Sequence, residues 1–72
     1  LSGAQRRELR ALPDRIEELE AKIRELEATM AQSGFYDQAP TLVSEVTDAF
    51  SAAQSELDRA LTRWEMLENA GA

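Results

Sequence analysis

The stretch LEATMAQSGFYDQAPTLVSEVTDAF, residues 26–50, decides how this chain folds. Its first residues, Leu26 and Met30, end one apolar stripe, and Val43, Val46 and Phe50 begin another. Backwards from Met30 the first stripe runs through Ile23, Leu19, Ile16, Leu12 and Leu9 in alternating steps of three and four, the spacing of a coiled-coil seam. Forwards from Phe50 the second continues through Ala53, Leu57, Ala60, Trp64 and Leu67 in the same alternation. Between them SGFYDQAP breaks the period. Gly34 suits the left-handed conformation that closes a helix, and Pro40 suits the first turn of the next, where its missing N–H leaves nothing unpaired. Helices joined by so short a connection must run antiparallel. The predicted fold class is therefore all-α, a two-helix antiparallel coiled-coil hairpin. Residues 1–72 form a single coiled-coil domain: a helical segment over 1–12, a helix over 13–32, a turn over 33–40 and a helix over 41–69.

Pro13 falls inside the first stripe and removes one helical hydrogen bond. The sequence predicts a short N-terminal helical segment broken there, between Leu12 and Asp14. That segment is needed. A second helix of about 28 residues is roughly 42 Å long, whereas Asp14 to Gln32 reaches only about 28 Å, and Trp64 and Leu67 need a cover. A register in which a and d positions face each other pairs residues whose numbers total 76: Met30 with Val46, Leu26 with Phe50, Ile23 with Ala53, Leu19 with Leu57, Ile16 with Ala60, Leu12 with Trp64 and Leu9 with Leu67, and a register shifted by one layer reads almost as well. It also sets residue 59 opposite Glu17 and residue 63 opposite Pro13.

Composition narrows the function. Seventy-two residues is one small domain, and an apolar core of that size seldom supplies more than about 3–5 kcal/mol, so a partner, a second copy or a parent polypeptide is expected. Cysteine and histidine are both absent, which removes disulfides, thiolate metal sites and the commonest general base. No apolar run is long enough to span a bilayer, so the chain reads as cytoplasmic with no membrane partner. The net charge of -6 is uneven. Arg6, Arg7, Arg10 and Arg15 outnumber Glu8 and Asp14 at the start, and ten acids face only Lys22 and Arg24 between residues 16 and 58.

The clustered carboxylates Glu17, Glu18 and Glu20 lie on an exposed helix face, with no low-dielectric pocket to tune them for acid–base chemistry and no loop to complete a metal site. They read as a solvated face, and neither catalytic nor metal-binding residues are assigned. Phe35 and Tyr36 sit at the turn. Phe35 is predicted to cap the open end of the seam, and Tyr36 to rest on one helix with its hydroxyl in water. Arg6, Arg7, Arg10, Arg15, Arg59 and Arg63 remain as the candidates for nucleic acid, since a cluster of guanidinium groups binds phosphates through forked hydrogen bonds and counterion release. Charge alone also fits a solubilising role.

The opening LSGAQ is one residue away from the Leu-Ser-Gly-Gly-Gln signature loop of ABC ATPases. Such a loop acts only beside a P-loop, G-x-x-x-x-G-K-[ST]. With three glycines, Gly3, Gly34 and Gly71, and a single lysine, Lys22, none can be written here. This segment therefore hydrolyses no nucleotide by itself.

Leu1, Ser2, Arg7, Glu8 and Leu9, then Leu12, Pro13, Arg15, Ile16, Glu17, Leu19 and Glu20, then Phe35 and Tyr36, and last Arg63, Trp64, Leu67 and Glu68 follow a familiar order. The chain resembles the C-terminal coiled-coil domain of Uup-type ABC-F ATPases. The resemblance implies a parent protein with two ATP-binding cassettes, ATP and magnesium as its cofactors, and action in the cytoplasm on ribosomes or nucleic acid. For this segment it implies a helical hairpin that binds DNA, without a cofactor of its own. Gly3, Ala4 and Gln5 stand where the family carries Tyr-Lys-Glu, one basic residue fewer. The alternative function is a protein-interaction or spacer hairpin that docks on its own cassettes, on the ribosome or on a second copy. A third is an arm contacting tRNA.

Overall fold

A computed structural model describes residues 1–71. Two long helices, α1 (Gly3–Met30) and α2 (Pro40–Gly71), pack against each other as an antiparallel hairpin, joined by a connection that contains one 3-10 turn, Phe35–Asp37. The hairpin measures 50 × 17 × 15 Å. Each residue of the two predicted stripes is buried or half-buried, with Leu19, Ile23, Ala53 and Leu67 the most enclosed.

Ser2 starts α1. Its hydroxyl accepts from the Gln5 N–H at 3.1 Å while the Gln5 side chain accepts from the Ser2 N–H at 2.9 Å, a reciprocal capping box. The LSGAQ letters thus have a local physical role that needs no phosphate.

The predicted break at Pro13 is absent, and α1 continues as α-helix through it. Segment 1–12 is the first part of one helix. A proline inside a helix costs about 3 kcal/mol, but a break would unseat Leu9 and Leu12 and uncover Trp64 and Leu67. Burying a side chain of this size contributes about 1.5–3 kcal/mol, so burial outweighs the missing bond. Pro13 is itself exposed.

At the other end α1 closes with the Ala31 N–H donating to the Glu27 carbonyl at 3.0 Å. Gly34 does take the left-handed conformation, at φ 79, but it opens the 3-10 turn and does not directly cap α1. Phe35 is 2% exposed and lids the seam, its ring edge-on to Tyr36 with centroids 4.8 Å apart. Tyr36 itself is 67% exposed. Pro40 is the first residue of α2.

The register differs from the predicted one. Met30 and Pro40 are equidistant from Phe35, so the hairpin pivots about that residue. Two ion pairs cross between the helices, Glu8 with Arg63 and Arg15 with Glu56, and in both the residue numbers total 71. Leu1 lies beside Gly71 at the open end. Each of the four charged residues stands one position before a seam residue. At that total Leu9 falls between Ala60 and Trp64 of α2, Ile16 between Ala53 and Leu57, and Leu19 within one position of Ala53. Leu19 is 1% exposed and Ala53 2%. Large still meets small, with Leu19 where the sequence alone suggested Ile23. The cause is the connection, because α1 ends at Met30, two residues earlier than predicted, which moves the pivot back.

Candidate nucleic-acid interface

All six candidate arginines lie near the open end. Arg6 to Arg15 span about 14 Å of α1 at 1.5 Å per residue, and the observed register sets Arg59 and Arg63 level with Leu12 and Glu8. They do not share one surface. Heptad geometry divides them between the two flanks of the seam and the back of α1, and their carboxylate partners divide them further.

On one flank Glu8 and Arg15 of α1 meet Arg63 and Glu56 of α2. The Arg63 guanidinium donates to both Glu8 oxygens, from Nε at 2.6 Å and from a terminal nitrogen at 2.9 Å. This forked geometry is the strong form of the contact. Arg15 donates to Glu56 across the seam and to Glu18 of its own helix at 3.3 Å. Bonding to Arg63 holds the Glu8 carboxyl below the usual carboxylate range, and bonding to Arg15 does the same for Glu56, assisted by the charges of Arg59 and Lys22. The two arginines are shifted up in turn, each chiefly by its bonded carboxylate. Arg15 and Arg63 thus rivet the helices together and are poorly available to a phosphate.

Among the described residues Arg6, Arg7, Arg10 and Arg59 stand in no ion pair, and all four are exposed. Arg6 and Arg10, four apart, share the second flank of α1 with Pro13, and Arg7 lies between them and the back of the helix. Pro13, Ile16, Leu61 and Trp64 line a shallow apolar groove on this flank. Arg59 lies on the side of α2 that carries Arg63. At the opposite end of the hairpin, some 35 Å away at 1.5 Å per residue, Phe35 is fully occupied as a lid and only Tyr36 faces outward. The turn aromatics and the arginines are therefore separate features.

The carboxylates Glu8 and Glu56 change what the arginines can do, and nothing in their local sequence distinguishes them from other surface glutamates. Their signal is positional: each sits seven residues from an arginine on the same flank, facing the reverse arrangement on the other helix. The capping role of Ser2 and Gln5 is legible as the S-x-x-Q pattern ahead of an apolar period.

Among the described residues no helix is long and apolar enough to cross a membrane. The family model described as the ABC transporter C-terminal domain matches residues 1–69. The chain is 41% identical over 68 residues to an ATP-binding protein Uup-like and to an ATP-binding protein Uup, both of Haemophilus influenzae, and 40% identical to ATP-binding protein Uup of Escherichia coli. Those alignments cover 94% of this chain but only 15%, 10% and 11% of the relatives. The chain thus spans a small part of the length of the curated proteins it matches. No solved structure matches it. With the capped start, the turn and the whole seam falling inside the matched residues, this chain belongs to the ABC transporter C-terminal domain family and is homologous over nearly its whole length to ATP-binding protein Uup.

Proposed function

We propose that this domain is the non-catalytic nucleic-acid-binding appendage of a cytoplasmic ABC-F ATP-binding protein, gripping DNA or RNA phosphates at its open end without reading sequence. The supporting observation is the division among the arginines: Arg6, Arg7, Arg10 and Arg59 are exposed and without carboxylate partners, whereas Arg15 and Arg63 are bonded to glutamates. ATP and magnesium belong to the cassettes of the parent protein, and the ribosome is the larger partner this reading allows. The acidic middle of the chain repels phosphates, so contact is confined to the open end and involves few of them.

Fluorescence anisotropy with labelled duplex DNA, single-stranded DNA and tRNA across a salt series tests this. Three to four phosphates engaged give a log–log slope of about -3 on duplex DNA. The combined change of Arg6, Arg7 and Arg10 to Glu is expected to abolish binding while leaving helicity intact. Absence of binding at low salt, or binding indifferent to that change, removes the reading.

A second reading, docking on a protein surface such as the parent's own cassettes, draws on Leu61 and Met66, which are 38% and 52% exposed. It predicts that Met66→Glu weakens association with the cassettes and leaves nucleic-acid affinity unchanged.

A further inference from the structure

The flank that carries the apolar groove is unlike the ion-paired one. On α1 it presents Arg6, Arg10 and Pro13, and on α2 Asp58, Leu61, Glu65 and Glu68. The first three are spaced by four and three residues and the last four by three, four and three, so each set forms one stripe along its helix. Pro13, Ile16, Leu61 and Trp64 form the floor of the groove between the stripes. Asp58, Glu65 and Glu68 stand in no ion pair among the described residues, and neither do Arg6 and Arg10. One wall is therefore basic, the other acidic, and neither is neutralised within the hairpin.

We infer that this flank is a self-complementary surface on which a second copy of the chain docks, related by a two-fold axis running along the hairpin. Such an axis exchanges the left and right walls of the groove and keeps the level along its length. The basic wall of one copy then faces the acidic wall of its partner. In the observed register Arg6 is level with Glu65 and Arg10 with Leu61, so Arg6 meets an acid and Pro13 falls within one turn of Leu61. Both contacts occur twice, as a two-fold interface requires. Towards the turn, the same stripe of α1 carries Glu17, Glu20, Arg24 and Glu27, and the facing stripe of α2 carries Ser44, Thr47, Ser51 and Gln54. No like charges oppose one another there. The other two-fold arrangement, with the axis across the hairpin, sets Arg6 and Arg10 against the turn end of the partner and leaves Glu65 and Glu68 unpaired.

The product is an antiparallel four-helix arrangement. It also addresses the small core of a lone hairpin, because Leu61, Trp64 and Pro13 gain cover. With only four groove residues per copy the apolar contact is small against the roughly 1,200 Å² of total surface buried by stable complexes, so the association is weak and carried largely by charge. It must therefore weaken with added salt. Because Arg6 and Arg10 are also among the phosphate-binding arginines proposed above, self-pairing and nucleic-acid binding compete for them.

Charge exchange tests this with sedimentation equilibrium, in low salt and without nucleic acid, at chain concentrations from about 10 to 500 μM. The unchanged domain is expected to move from monomer towards dimer over that range. A variant with Arg6→Glu and Arg10→Glu has two acidic walls, a variant with Asp58→Arg and Glu65→Arg has two basic walls, and each alone is expected to stay monomeric. Mixed in equal amounts they are expected to form a heterodimer, tighter than the unchanged pair. A monomeric unchanged domain at the highest concentration, or no association on mixing the two variants, overturns the inference. All four substitutions fall on exposed positions, and circular dichroism checks that both variants are folded. The basic-walled variant separates the two proposals: it loses self-pairing yet gains affinity for nucleic acid.

Discussion

At Gly34 the backbone turns left-handed with no atom near the place where a side chain would begin. Glycine is needed there for its backbone, whereas Phe35 beside it is needed for its bulk. Across the turn, Ala39 precedes α2 and offers no side-chain acceptor to the first turn of the helix, where Pro40 has no N–H and the Leu42 and Val43 N–H groups already reach the Ala39 carbonyl. The Thr41 N–H is left to solvent. Ala39→Asp supplies an acceptor and a negative charge at a helix start that carries no acidic residue. It is expected to stabilise the hairpin by about 1 kcal/mol. Thermal unfolding by circular dichroism should show a rise of about 4–8 °C, and an unchanged or lower midpoint counts against this account of the α2 start.

As an element, α1 is held continuous by what it covers. Pro13 is a poor residue for that position by local preference and is tolerated because both sides of it are committed to the seam. Pro13→Ala restores the hydrogen bond to the Leu9 carbonyl, and the difference in helix propensity between the two residues is about 3 kcal/mol. The change is expected to raise the unfolding midpoint with little gain in helical signal at low temperature, since α1 is already continuous. A large gain in helical signal would instead mean that the first turns are unwound in solution. α2 has no such interruption, and its seam alternates the small residues Ala53 and Ala60 with Leu57 and Trp64, which lets the two backbones approach.

For the whole molecule, the two cross-helix ion pairs link stability to pH. The Glu8 and Glu56 carboxyls titrate lower in the folded hairpin than in the unfolded chain, so the unfolded chain binds protons first as pH falls. Their contribution is complete above the ordinary glutamate range near pH ~4.3 and is lost as pH drops through their lowered values. Acid also relieves the general repulsion within a chain of net charge -6. The informative comparison is therefore against Glu8→Gln combined with Glu56→Gln. Above about pH 5 the unchanged domain is expected to unfold at a higher temperature than the variant, and the gap is expected to close below about pH 4. A gap that stays constant with pH would mean that the pairs contribute by shape alone.

The hairpin, its turn and the membership of the seam were legible in the sequence because they rest on periodicity and on the special backbones of glycine and proline, which act over a few residues. The clustering of arginines near the open end was legible for the same reason, once the chain was known to double back. Continuity through Pro13 was not legible, since local preference argues for a break and only the burial of Leu9, Leu12, Trp64 and Leu67 overrides it. Nor was the register, because heptads repeat and several alignments bury the same stripes. The length of the connection about Phe35, together with the Glu8–Arg63 and Arg15–Glu56 pairs, selects one of them. That selection assigns Arg15 and Arg63 to carboxylates and leaves Arg6, Arg7, Arg10 and Arg59 free, a division that depends on which residues stand level across the seam and hence on tertiary structure alone.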